Sequence, residues 1–136
     1  YAFGDEKLIR YLNDVKYSFN SYTMNLPAIA AGTAAVEDET YFRETVQKII
    51  ATRERTKERL RELGFVFGDS KANFIFAAHP CCDARELFEA MKKEKIYVRY
   101  FDKPRIDNYL RISIGTDEEM DRLLEFLRGY LKAVKE

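Results

Sequence analysis

The chain has 136 residues, 46% of them hydrophobic with 10 Phe and 9 Tyr, which suffices for one sizeable core and excludes a multidomain enzyme carrying its own cofactor domain. Lys plus Arg and Asp plus Glu each total 23, so no basic excess exists to neutralise a phosphate backbone, and nucleic acid is not an expected partner. The longest apolar run, residues 26–36, is 11 residues broken by Pro27, Gly32 and Thr33; a membrane span and a membrane partner are not expected.

Tyr1-Ala2-Phe3-Gly4 reads as the end of a strand followed by a turn, and with no initiating Met the chain is expected to be a fragment entered in mid-fold. Asp5 is the predicted cap of a short helix with Leu8, Ile9, Leu12 and Val15 at helical spacing. Residues 16–25 (KYSFNSYTMN) read as an ordered loop leading into an Ala-rich helix after Pro27. Residues 38–63 predict a long amphipathic helix with Phe42, Val46, Ile49, Thr56, Leu60 and Leu63 on one stripe, stopped by a left-handed Gly64.

Residues 65–67 and 72–78 then read as strands around the turn Gly68-Asp69-Ser70. Asp83-Ala-Arg-Glu86 opens a helix with Leu87, Phe88 and Met91 inward. Residues 95–101 and 109–114 are the two clearest strands, and Thr116-Asp-Glu-Glu119 is a capping box for a closing helix. Strand, strand, helix, strand, strand, helix is not an alternating parallel order. The predicted fold class is α+β: long N-terminal helices, then a small, mainly antiparallel sheet with helices packed on one face.

Alternation along a strand puts Leu110, Ile112 and Ile114 on one face and Tyr109, Arg111 and Ser113 on the other. On the preceding strand Tyr97, Arg99 and Phe101 share the face opposite Ile96, Val98 and Tyr100. If the two strands pair, Arg99 lies beside Arg111, a repulsion of roughly 3 kcal/mol at about 6 Å and an effective dielectric near 20. A carboxylate or phosphate between the planar forks offsets it. The competing reading pairs each arginine with Asp102, Asp107 or another carboxylate, and Arg105 in the intervening loop is expected to be solvated.

His79, the only histidine, precedes Pro80 and reads as a turn residue without an identifiable catalytic partner. The adjacent Cys81 and Cys82 make no disulfide framework and no spaced ligand pair, so structural thiols in a reducing cytoplasm are expected. Tyr17, Phe19 and Tyr22, with Asn20, either pack or line a ligand site. No glycine-rich phosphate loop, metal cluster or Ser/His/Asp arrangement is visible.

Lys16-Tyr-Ser-Phe-Asn-Ser-Tyr22, Ser70-Lys-Ala-Asn-Phe74, Val98-Arg99 and Tyr109-Leu-Arg-Ile-Ser-Ile-Gly-Thr116 before an acidic helix start resemble the histidinol-phosphate aminotransferases, fold-type I enzymes dependent on pyridoxal phosphate. The resemblance covers almost the whole chain. It implies that residues 1–36 are a remnant of the large domain and its connecting segment, and residues 37–136 the small C-terminal domain with the linking helix. It implies too that the Schiff-base lysine, the aspartate on the pyridine nitrogen, the stacking aromatic and the phosphate cup belong to the large domain, outside this segment. No catalytic, cofactor-binding or metal residue is therefore assigned here, and the segment alone is expected to be inactive.

By the same resemblance Arg111 grips the acidic end of the substrate, the phosphate of L-histidinol phosphate in this branch, and Arg99 is its second contact. The implied partners are a small molecule bearing phosphate or carboxylate, the large domain, and a second copy in a homodimer. A related enzyme acting on another amino acid, or decarboxylating threonine phosphate, keeps the same arginine; a free-standing anion-binding module is the non-enzymatic alternative.

Overall fold

The structure is a computed structural model that describes residues 2–20 and 24–134. The chain divides into two compact units, Tyr1–Phe42 and Arg43–Glu136.

In the first unit Asp5 caps helix α1, Glu6–Phe19, by accepting from the Lys7 amide at 2.9 Å. The predicted loop over residues 16–25 is shorter than expected, because α1 runs on to Phe19. Its polar residues fold back on the helix, Ser18 Oγ donating to the Asp14 carbonyl at 2.7 Å and the Asn20 amide to that of Lys16 at 2.8 Å. Tyr22 lies outside the described residues, as does Tyr1; residues 2–5 form no strand, since the sheet lies wholly in the second unit. Asn25 caps α2, Leu26–Glu37, through the Ala28 amide at 2.9 Å. Asp38 closes α2 and also accepts from the Tyr41 amide, opening α3, Glu39–Glu62. Neither α1 nor α2 buries a residue within this chain, leaving Leu8, Leu12 and Val15 each more than half exposed.

The second unit begins within α3, whose end is fixed by Gly64 at φ +89. The Gly64 amide reaches the Arg61 carbonyl at 2.9 Å and the Phe65 amide that of Leu60 at 3.0 Å, a Schellman motif whose apolar contact is Leu60 with Phe65. A Cβ at Gly64 meets His79 Nε2 at 3.2 Å. Gly64→Ala is accordingly expected to cost about 1–2 kcal/mol, read from urea unfolding midpoints.

The α3 stripe faces the expected way but is wider than predicted and does not reach Phe42, with Val46, Ile49 and Leu63 partly buried. Leu60 and Thr56 are buried, but Phe42 is 60% exposed, and Thr52, Arg53 and Lys57 are buried with them. The cations go inside because partners distant in sequence meet them there.

Strands β1 (Val66–Phe67), β2 (Phe74–Ala78), β3 (Arg99–Tyr100) and β4 (Leu110–Ser113) form one sheet in the order β1-β2-β4-β3, every pair antiparallel. β2 and β3 thus run parallel with β4 inserted between them, a split β-α-β unit around α4, Ala84–Lys93. Asp83 caps α4 by accepting from the Arg85 and Glu86 amides.

The strand predicted from residue 95 starts only at Arg99. Lys95 stands in the left-handed region at φ 59 while its amide and that of Ile96 bond the Lys92 and Met91 carbonyls, so a second Schellman motif uses the residues that would have extended β3. Thr116 and Glu119 make the predicted reciprocal capping box of α5, Asp117–Ala133. Ile75, Ala77, Leu110 and Ile112 face inward against Leu60 of α3, Leu87 and Met91 of α4 and the Leu123, Leu127 stripe of α5. Helices therefore cover one face of the sheet, and the α+β expectation holds.

Candidate functional site

Burial of Leu110 and Ile112 turns Arg111 to the face away from the helices. Register completes the arrangement. Arg99 on β3 stands opposite Arg111 on β4, and Phe76 on β2 stands opposite Arg111 from the other side. Both arginines are exposed, and neither has a carboxylate partner among the described residues. Asp102, one candidate partner, is instead bonded to Arg85 of α4.

The guanidiniums rest on aromatic rings. Arg111 lies 5.6 Å from the Phe74 centroid and Arg99 5.4 Å from that of Phe101. Phe76 stacks on Tyr109 at 4.7 Å and meets Phe101 edge-on at 6.0 Å. The rings fix the face that carries the arginines, and their quadrupoles offset part of the like-charge repulsion. Both cations are held on rings and unneutralised, and their planar forks present paired N–H donors of the kind a carboxylate or phosphate can accept.

Beside it opens a cavity of about 520 Å³ lined by Phe74, Phe76 and Tyr109, with Asp69, Ser70 and Arg105 among its other residues. Arg105, expected to be solvated, is exposed, yet it borders this cavity from a left-handed backbone at φ 73. The aromatic floor was not legible as a site, because it depends on the register of β2 with β4. Another cavity, of about 330 Å³, lies between residues 95–98 and the start of α5 and includes neither arginine in its lining. Its Glu119 is occupied by the α5 cap and its Arg122 by the Glu94 carbonyl.

His79 is the turn residue the sequence implied. It is buried, its Nδ1 accepts from the Cys81 amide at 3.2 Å, and its Nε2 lies 3.2 Å from the Leu63 carbonyl, so the proton belongs on Nε2. Cys81 is exposed and Cys82 half-buried, without a disulfide. Tyr17 and Phe19 are 60% and 81% exposed, so packing within the described residues does not account for them. No helix among the described residues is long and apolar enough to cross a membrane.

Comparison with known proteins decides the family. The pattern for "Aminotransferase class I and II" matches residues 1–127. The chain belongs to the class I and II aminotransferases. Within the family it is similar to the histidinol-phosphate aminotransferase of Lactococcus lactis subsp. lactis, at 51% identity over 135 residues, 99% of this chain and 38% of the relative. The corresponding protein of Brachyspira hyodysenteriae is 50% identical over 97% of this chain and 37% of its own length. The chain thus spans somewhat over a third of these aminotransferases. Among solved structures, the histidinol-phosphate aminotransferase from Clostridium acetobutylicum shares the fold at TM-score 0.82 and 23% identity, covering 91% of this chain and 38% of that one. That from Sinorhizobium meliloti, in complex with pyridoxal-5'-phosphate, gives a TM-score of 0.75 at 26% identity, over 85% and 32%.

Pyridoxal phosphate is the cofactor of these aminotransferases, and Lys57, the one lysine buried among the described residues, does not fit an imine with it. A lysine that forms an imine needs a lowered pKa. The buried Lys57 has the reverse: the hydrogen bonds it donates to Asp69 and Glu54 raise it above the ordinary lysine value. No step through the cofactor is assigned to residues of this chain.

The same contact holds the Asp69 carboxyl at about 2, with Lys71 adding to the effect of Lys57. Since the folded value lies below the ordinary 3.8, the contribution of this pair is complete above that pH and is lost as pH falls toward 2. Urea unfolding midpoints read by circular dichroism should therefore differ between wild type and Asp69→Asn at neutral pH and converge as pH falls to about 2.

Proposed function

We propose that this chain is the substrate-anchoring C-terminal part of a pyridoxal-phosphate-dependent aminotransferase acting on L-histidinol phosphate with 2-oxoglutarate, in histidine biosynthesis. The observation that carries the reading is the Arg99–Arg111 pair, opposed across β3 and β4 on the open face and free of carboxylate partners among the described residues. Identity of 51% and 50% to histidinol-phosphate aminotransferases supports the choice of substrate.

In this reading Arg111 and Arg99 hold the phosphate of the amino donor, and then a carboxylate of the acceptor, orienting each for reaction. Their role is proximity, with no proton transferred through either side chain. Residues 1–36 belong to the end of the large domain and the connecting segment, and residues 37–136 to the small domain. The remainder of a cytoplasmic homodimer supplies the cofactor-binding lysine and covers the apolar residues exposed on α1 and α2.

The test is a substrate panel on the complete protein with its cofactor. L-histidinol phosphate is expected to give the highest kcat/KM among amino donors, with glutamate formed from 2-oxoglutarate. Preference for another amino acid, or carbon dioxide released from threonine phosphate, overturns the substrate assignment.

A further inference from the structure

Helix α3 buries two cations that the anion site does not touch. Arg53 and Lys57 are 5% and 1% exposed, where desolvating an ammonium or guanidinium demands close partners. Lys57 Nζ has them at 2.5 Å in Asp69 Oδ1 and at 2.9 Å in Glu54 Oε2. Arg53 donates through Nη1 to the Ala72 carbonyl at 3.1 Å and through Nε to Glu54 Oε1 at 3.0 Å. Two of these four contacts go to the loop between β1 and β2, one at each end of the stretch from Asp69 to Ala72.

A pair of this kind is not required for stability as such. The Asp69 and Glu54 side chains are 62% and 44% exposed, and an ion pair with an exposed partner contributes little, so its directional bonds are the feature to explain. Their direction leads to the site. Ser70, next to the clamped Asp69, donates from Oγ to the Phe74 carbonyl at 2.5 Å and accepts from the Ala72 amide at 3.2 Å, fixing the path of the loop into β2. Phe74 is the first residue of β2, and its ring is the one beneath the Arg111 guanidinium.

We infer that Lys57 and Asp69 are positioning residues for Arg111, holding from α3 the loop that sets Phe74 under its guanidinium. The inference rests on the anion-anchoring role proposed above and adds the linking helix as the element that sets the anchor.

The test uses the complete protein with cofactor bound and inorganic phosphate as probe, with Kd from calorimetry and Tm recorded alongside. Asp69→Asn and Lys57→Met are expected to weaken phosphate binding about threefold to tenfold, and Lys57→Arg to recover most of it. The deciding readout is coupling: in an Arg111→Ala background Asp69→Asn should change Kd less than twofold, because the group it positions is gone. A merely structural role leaves the two effects multiplicative, and that result overturns the inference. So does an unchanged Kd in Asp69→Asn when Arg111→Ala weakens binding, an outcome that leaves the anion anchor standing. Unchanged binding in Arg111→Ala removes the anchor and this inference with it. Should Lys57→Met fail to fold, Asp69→Asn carries the test, since the Asp69 side chain is 62% exposed.

Discussion

Arg111→Ala in the complete protein is expected to lower kcat/KM for L-histidinol phosphate roughly tenfold to a hundredfold, the loss of a charge-assisted hydrogen-bonding partner worth about 1.5 to 3 kcal/mol. The fold should not notice. Arg111 is exposed, and Leu110 and Ile112, which hold β4 to the core, are unchanged. Truncation forfeits the contact with Phe74, worth about 0.5–1 kcal/mol at an exposed site, but also removes the repulsion from Arg99 directly opposite. The two terms oppose each other, so Tm should stay within about 2 °C. Arg111→Lys keeps a charge but loses the fork and should fall between wild type and alanine. Arg99→Ala should follow the same direction with a smaller loss. Unchanged kinetics in Arg111→Ala contradicts the anchor, and a collapse of Tm in that variant assigns Arg111 to the fold instead.

The largest stability effect is expected at Leu60. It is fully buried, belongs to the cluster shared by α3, α4, α5 and the inner face of the sheet, and forms the apolar contact of the α3 Schellman motif with Phe65. Leu60→Ala removes its transfer free energy, leaves a cavity between elements that cannot close on it, and loosens the helix stop. A cost of about 2–5 kcal/mol follows, measurable from urea unfolding. Leu63→Ala, half-buried at the cluster's margin, is the control and should cost clearly less. Equal costs at both positions would mean that the helix is not anchored through Leu60.

Elements whose signal is local were legible in the sequence. Thr116 and Glu119 announce the cap of α5, Gly64 the stop of α3, and the alternation of Leu110, Arg111 and Ile112 the face of β4, because each depends on residues within a few positions. The Arg99–Arg111 pairing required one further step, that the two strands be neighbours, and β3 and β4 join in register at that position. Where sequence reasoning failed, competing hydrogen bonds or distant partners decided. Lys95 takes a left-handed turn that shortens β3, and Ser18 turns back to a helix carbonyl and lengthens α1. Lys57 and Arg53 sit among the charges of an amphipathic helix and look solvated until Asp69 and the Ala72 carbonyl arrive from the next loop. No spacing within α3 encodes those contacts.

The most direct measurement is a crystal structure of the complete protein with cofactor and L-histidinol phosphate bound. The account predicts phosphate oxygens within hydrogen-bond distance of the Arg111 guanidinium, with Arg99 as the second cation on the same group. A phosphate bound elsewhere, with Arg111 still resting on Phe74 and touching no part of the substrate, would contradict it.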